Sequence, residues 1–271
     1  MTTAPAGAIG RRNRGSWFDH RFRSHRASHS LYCFPFAGGT SAYYADWATL
    51  FTGPIELVPI QLPGRGPRMA EQPVTEAAEV CDALAAVIAD CPTQPLLFGH
   101  SMGAILAFEV ARRLDPAARG AGSRAVPPRP ARHLFVSGRP APAIARPVQP
   151  VSALPRPELV RVLRDYGAAG EDILEHEELL DLLLPTIRAD FQLIEGYRYL
   201  AGPPLSCRIT AWCGDSDPDV SPEVMRGWGE QTSAGFEFSV RPGGHFFLTG
   251  LQAEVAETIH AAVTGADNDA V

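Results

Sequence analysis

Apolar residues in this chain fall into short unbroken runs, separated by longer stretches with helical spacing. The runs Leu31–Phe36, Ile55–Gln61, Pro95–Gly99, His133–Gly138, Cys207–Gly214 and Phe236–Arg241 read as strands. Several are continuous rather than alternating, which is the pattern of strands covered on both faces of a parallel sheet. Between them Ala42–Phe51, Val74–Asp90, Ala104–Leu114, Pro222–Thr232 and Leu251–Val263 carry the periodicity of helices. Strand and helix alternating in this way predict an α/β fold, a mostly parallel central sheet with helices on both faces.

Three segments break the rhythm. Residues 1–29 contain six arginines (Arg11, Arg12, Arg14, Arg21, Arg23, Arg26) and little apolar periodicity, so they read as a flexible Arg-rich extension. Residues 116–131 are rich in Pro, Gly, Ala and Arg and read as a loose surface loop. Residues 139–206 separate two strands by far more chain than one crossover helix needs. Within them Glu158–Tyr166, Glu177–Leu184 and Ala189–Tyr199 are amphipathic, which predicts a helical lid insertion. The expected organisation is an extension over 1–29, one domain over 30–265 with the lid at about 139–206, and a tail over 266–271.

Composition narrows the class. A chain of 271 residues, 45% hydrophobic and 20% charged, has the balance of a soluble globular domain. No window is long and apolar enough to span a bilayer, and no apolar core follows the basic N-terminus, so a cytoplasmic protein is expected. Cys33, Cys81, Cys91, Cys207 and Cys213 are odd in number and never spaced C-x-x-C. That argues against a disulfide framework or a zinc site and predicts five buried thiols. The net charge of −6 does not suit a nucleic-acid-binding domain.

The chemistry centres on Gly99-His100-Ser101-Met102-Gly103. This G-x-S-x-G ends an apolar strand and opens an Ala-rich helix, the context that a nucleophile elbow requires. Ser101 is therefore the expected nucleophile. A serine hydroxyl needs a base within reach. Of eight histidines, His20, His25 and His29 lie in the extension, His133 on a strand, His176 in the lid and His260 in the last helix. His100 should point away on the sharp turn. His245, in Pro242-Gly243-Gly244-His245-Phe246-Phe247 between the last strand and last helix, is the expected base.

The acid that holds the imidazole should follow the penultimate strand, where Gly214-Asp215-Ser216-Asp217-Pro218-Asp219 offers three carboxylates. Asp217 is the expected member, Asp215 the fallback, and Asp219 a solvated loop or helix-start residue. The order Ser101, Asp217, His245 is that of an α/β hydrolase and not of other serine hydrolases. The oxyanion hole should be built from the backbone N–H of Met102 and one from the loop Phe34–Thr40, Ala37 ahead of Phe36. No metal or organic cofactor is implied.

These motifs together resemble a known family. Cys33-Phe34-Pro35-Phe36-Ala37-Gly38-Gly39, Leu62-Pro63-Gly64-Arg65-Gly66, the elbow, Arg188-Ala189-Asp190-Phe191, Gly214-Asp215-Ser216-Asp217 and Gly243-Gly244-His245-Phe246 are similar to those of stand-alone type II thioesterases of polyketide and nonribosomal peptide biosynthesis. The resemblance covers roughly residues 30–263. It implies hydrolysis of acyl thioesters from the phosphopantetheine arm of acyl or peptidyl carrier proteins, an editing role. The triad alone implies only acyl transfer, which a carboxylesterase or lipase would share. A non-catalytic carrier-binding scaffold would not need all three residues. Arg188 and Asp190 are expected to form a local ion pair.

Overall fold

The computed structural model describes residues 17–22, 24, 26–118, 129–144, 150–167 and 176–264. Most of the expected 116–131 loop, most of the Arg-rich extension and the 266–271 tail lie outside the described residues. Six strands, β1 (His29–Phe34), β2 (Ile55–Pro59), β3 (Gln94–His100), β4 (His133–Ser137), β5 (Arg208–Gly214) and β6 (Phe236–Arg241), form one sheet in the order β2-β1-β3-β4-β5-β6. Every neighbouring pair is parallel. All six strands therefore end at the same edge, and the loops carrying the candidate residues gather there.

The unbroken apolar runs are explained by the two-sided cover. Tyr32 and Phe34, Leu97, and Leu134 and Val136 join one core. Their chain neighbours Leu31 and Cys33, Leu96 and Phe98, and Phe135 join the other. Successive side chains of a strand point to opposite faces, so both positions are buried. The first core packs under helices α1 (Ala77–Ala89) and α2 (Met102–Leu114). The second packs under α6 (Gln252–Thr264) and two 3₁₀ turns, Ser41–Tyr44 and Asp46–Leu50. Those turns replace the single helix expected over 42–51. All five cysteines are free and buried.

Between β4 and β5 the insertion forms α3 (Arg156–Tyr166) and α4 (Glu177–Gly196). Pro157 sits in the first turn of α3, where its missing N–H costs nothing, and Gly167 (φ 68°) ends the helix in the left-handed conformation that glycine tolerates. Leu159 and Leu163 of α3 pack against Leu180 and Leu184 of α4, a small third core belonging to the insertion itself. The two stretches expected over 177–184 and 189–199 are one continuous helix that runs through Pro185. Pro185 is exposed, so the carbonyl left without its helical donor can be hydrated. Pro222–Arg226 is a short helix, α5, followed by a 3₁₀ turn.

The boundary at residue 30 is corrected. Trp17 and Phe18 are buried, 3% and 7% exposed, and belong to the first core. Phe18 bridges antiparallel to Ile60, and Gln61 N–H donates to the Trp17 carbonyl. This short backbone pairing covers the open edge beyond β2, while the Arg68 guanidinium lies 4.4 Å over the Trp17 ring. Trp17→Ala is expected to lower unfolding free energy by about 3–5 kcal/mol, the usual cost of emptying a buried aromatic site. Chemical denaturation midpoints check this; a change below about 0.5 kcal/mol would return residue 17 to an unstructured extension.

Candidate active site

Ser101 follows directly from the last residue of β3 and caps α2. Its φ of 53° makes it the only non-glycine residue with positive φ among the described residues. Such a conformation costs an L-residue of order 1–3 kcal/mol. The flanking glycines make the turn sterically possible. A Cβ on Gly99 would lie 2.1 Å from the Gly103 carbonyl oxygen, and one on Gly103 would lie 2.5 Å from that of Phe34. Ser101 N–H donates to the Ser137 carbonyl at 2.8 Å, which ties the turn to the end of β4.

His245 comes from the loop after β6. Its Nδ1 lies 2.7 Å from Oδ2 of Asp217, whose side chain is fully buried, and His245 is 8% exposed. A carboxylate can only accept, so Nδ1 carries the hydrogen, and in the neutral form of the ring Nε2 is the acceptor. The other Asp217 oxygen, Oδ1, accepts the backbone N–H of Asp219 at 3.0 Å. Asp217 is therefore fixed from both sides. Asp215 faces elsewhere: Oδ1 accepts from the Ser216 hydroxyl (2.7 Å) and the Gly243 N–H (3.0 Å). The Ser216 hydrogen bond leads in holding its pKa below the ordinary carboxylate value. Asp215 thus holds the loop that carries His245 rather than the imidazole.

Ser101 and His245 line one cleft with Phe36, Ala37, Met102 and Tyr166, about 70 Å³ of it open to water-sized molecules. No hydrogen bond joins Ser101 to His245 among the described contacts, a common state of a nucleophile–base pair without substrate. Met102 begins α2, where backbone N–H groups have no intrahelical partner. Ala37 sits in a turn closed by Gly39 N–H donating to the Phe36 carbonyl at 2.8 Å, with Gly38 at φ 77°. That φ matches a type II turn.

The remaining histidines separate by environment. His100 is fully buried, with Nδ1 3.1 Å from the Ser137 hydroxyl and its ring 4.9 Å from that of His245. Burial first, and the His245 charge second, hold it well below the ordinary histidine pKa. His133 stacks on Phe135 at 4.2 Å and pairs with the Thr210 hydroxyl. Burial, then the charges of Arg208 and Arg132, push its pKa down to about 4. His260 reaches the Leu50 carbonyl, and the His29 ring meets Ser28.

Further contacts around the cleft are not visible in the sequence pattern. Tyr166, at the end of α3, lies with its ring 5.1 Å from that of His245, and its hydroxyl donates to Asp219. Asp219, expected as a solvated loop or helix-start residue, lines the cleft. Arg188 donates to the Ser152 carbonyl, so the expected Arg188–Asp190 pair does not form; Asp190 pairs with Arg65. Arg65 lies 125 positions from Asp190, beyond the reach of local spacing.

An all-parallel six-stranded sheet, helices on both faces, and a serine at a strained strand–helix turn define the fold of an α/β hydrolase. The thioesterase-domain profile matches residues 29–263, and the chain belongs to the thioesterase family. It is a type II thioesterase, a hydrolase that acts on thioesters. It is 36% identical over 242 residues to the gramicidin S biosynthesis protein GrsT of Aneurinibacillus migulanus, covering 89% of this chain and 91% of that one. The type II thioesterase BorB from the borrelidin biosynthetic cluster superposes with a TM-score of 0.80 at 36% identity, covering 91% and 97% of the two chains. YbtT, a type II thioesterase from the yersiniabactin NRPS/PKS pathway, gives 0.73 at 28% identity, covering 88% and 93%. No helix among the described residues is long and apolar enough to cross a membrane.

The two depressed histidines make stability pH-dependent. The unfolded chain protonates histidine below about 6.5, whereas folded His133 stays neutral down to about 4 and His100 is held down in the same direction. Unfolding then takes up protons, so stability falls as pH drops below about 6.5. Each histidine contributes up to about 1.4 kcal/mol per pH unit. Urea midpoints at pH 7, 6 and 5 should show His133→Gln flattening this slope; an unchanged slope would contradict the assignment.

Proposed function

We propose that this thioesterase removes acyl groups from the phosphopantetheine arm of acyl or peptidyl carrier proteins, editing stalled or misloaded chains, with Ser101, His245 and Asp217 as its triad. The observation that carries this reading is the strained Ser101 turn sharing one cleft with a His245 whose Nδ1 is fixed by buried Asp217. The biosynthetic setting is supported by the gramicidin S, borrelidin and yersiniabactin relatives.

In this reading Ser101 Oγ attacks the thioester carbonyl carbon while His245 Nε2 takes its proton. The carbonyl oxygen becomes an oxyanion held by the N–H groups of Met102 and Ala37. Collapse breaks the C–S bond, and His245 returns the proton to the leaving sulfur. A thiol needs less help in leaving than an alcohol, because its pKa is near 8.5. Water then attacks the acyl-serine, His245 takes its proton, and a second collapse frees the acid and restores the Ser101 hydroxyl. Asp217 holds the tautomer throughout and stabilises the imidazolium. No metal or organic cofactor takes part; the pantetheine arm arrives with the substrate.

The cleft walls suit an acyl chain. Leu163, Phe191, Ile194, Val220 and Phe246 make them largely apolar, with Leu163 and Tyr166 from α3 and Phe191 and Ile194 from α4. The insertion therefore acts as the lid of the acyl chamber. α3 is joined to the catalytic loops through the Tyr166–Asp219 hydrogen bond.

Time-resolved hydrolysis of acetyl-, propionyl- and longer acyl-carrier-protein thioesters tests the reading. Wild type should release acid from these faster than from matching oxyesters, and Ser101→Ala should not. Faster oxyester cleavage would favour a general esterase, and equal rates for the two proteins would remove Ser101 from the mechanism. Asp217→Asn should lower kcat by about 10⁴-fold through the wrong imidazole tautomer. Asp215→Asn should fall less than tenfold; the reverse ranking would transfer the role of the acid to Asp215.

A further inference from the structure

Arg65 and Asp190 form a buried ion pair, their side chains 3% and 1% exposed, in which Arg65 Nη2 lies 2.6 Å from Asp190 Oδ1 and Nη1 lies 2.7 Å from Oδ2. Both partners also grip the turn that carries Ala37. Asp190 Oδ2 accepts the Gly38 N–H at 2.7 Å, and Arg65 Nη1 donates to the Gly39 carbonyl at 3.0 Å. Beside this clamp, the Thr186 hydroxyl of α4 donates to the Gly64 carbonyl at 2.6 Å. Gln61 accepts the Ser41 N–H and donates to the Arg65 carbonyl. A Cβ on Gly38 would lie 3.0 Å from Ile187 of α4, so the helix rests directly on the turn.

A buried ion pair contributes little net stability compared with apolar residues of the same volume, because both charges must be stripped of water. Holding a fold together therefore does not explain this one well. Its hydrogen bonds do something apolar residues cannot, which is to fix the orientation of two peptides of the turn, Ala37–Gly38 through the Gly38 N–H and Gly39–Thr40 through the Gly39 carbonyl. The preceding peptide carries the Ala37 N–H. Rotation of the Ala37–Gly38 segment would swing that donor out of the cleft.

We propose that Asp190 and Arg65 are positioning residues for the oxyanion hole, holding the Phe36–Gly39 turn so that the Ala37 N–H faces the reacting carbonyl oxygen. The inference rests on the assignment of Ala37 as an oxyanion donor under the function proposed above. It also makes α4 a fixed wall of the site. Neither side chain lines the cleft, and each acts through the turn.

Loss of one oxyanion donor costs about a hundred- to a thousandfold in rate, and a misplacement near 1 Å about a hundredfold. Asp190→Asn keeps the shape but puts an NH₂ against the donors of Arg65 or Gly38, so the turn is freed. The double variant Arg65→Met/Asp190→Leu removes both charges and should keep the fold. In either, kcat on an acyl-carrier-protein thioester should fall at least tenfold while KM changes less than twofold. Affinity for an acyl phosphonate that mimics the tetrahedral intermediate should fall by the same factor as kcat. Affinity for an unreactive thioether substrate analogue should not change.

A folded variant with kcat within twofold of wild type would overturn the proposal. So would kcat and KM worsening together with equal loss of both ligands, or failure of both variants to fold, since each marks a purely structural pair. Ser101→Ala assayed beside them separates the two readings. If it is inactive while Asp190→Asn is fully active, the triad stands and this inference fails; if it is active, the triad itself is wrong.

Discussion

Ser101 occupies a backbone conformation, φ 53° and ψ −118°, that an L-residue adopts only under constraint, and the rest of the site is arranged around that turn. The turn exists because α2 presses against the end of β3 so closely that neither Gly99 nor Gly103 has room for a Cβ. The closeness comes from the buried face of α2, where Ala104, Ala107 and Ala111 let the helix approach the sheet. Packing of the first core thus supplies the force that holds a strained serine at the sheet edge, with a helix N-terminus behind it for developing negative charge.

Around this fixed point the other groups arrive on separate loops, each tied down by its own polar contacts. Asp215 and the close approach of Gly214 to Gly243 set the loop bearing His245. The Asp219 N–H sets Asp217, and Arg65 with Asp190 set the turn bearing Ala37. Each reactive group therefore sits on a loop, but on one whose backbone is hydrogen-bonded to a neighbouring element. That rigidity allows a site to stabilise a transition state without reorganising at the moment of reaction.

The sheet and the candidate triad residues were legible in the sequence for physical reasons. Two-sided burial writes itself as unbroken apolar runs, and a nucleophile elbow demands glycines two residues either side of the serine. The N-terminal boundary was hidden because Trp17 and Phe18 are two apolar residues amid arginines, and they pair with the sheet edge through the backbone, which no composition records. α4 is continuous through Pro185 because that residue is exposed while Leu180 and Leu184 before it and Ile187 and Phe191 after it pack into the core of the insertion, a continuity that amphipathic spacing alone does not report. Local spacing points Asp190 to Arg188 and cannot report Arg65, a partner 125 residues away.

The central claim, that acyl transfer passes through Ser101, is tested most directly by intact-protein mass spectrometry of acid-quenched mixtures with an acyl-carrier-protein thioester. The account predicts a transient mass gain equal to the acyl group, mapping to the peptide that contains Ser101, absent from Ser101→Ala, and longer-lived in His245→Ala wherever that variant still acylates. Release of acid at the wild-type rate with no such adduct, or an adduct on another residue, would contradict it.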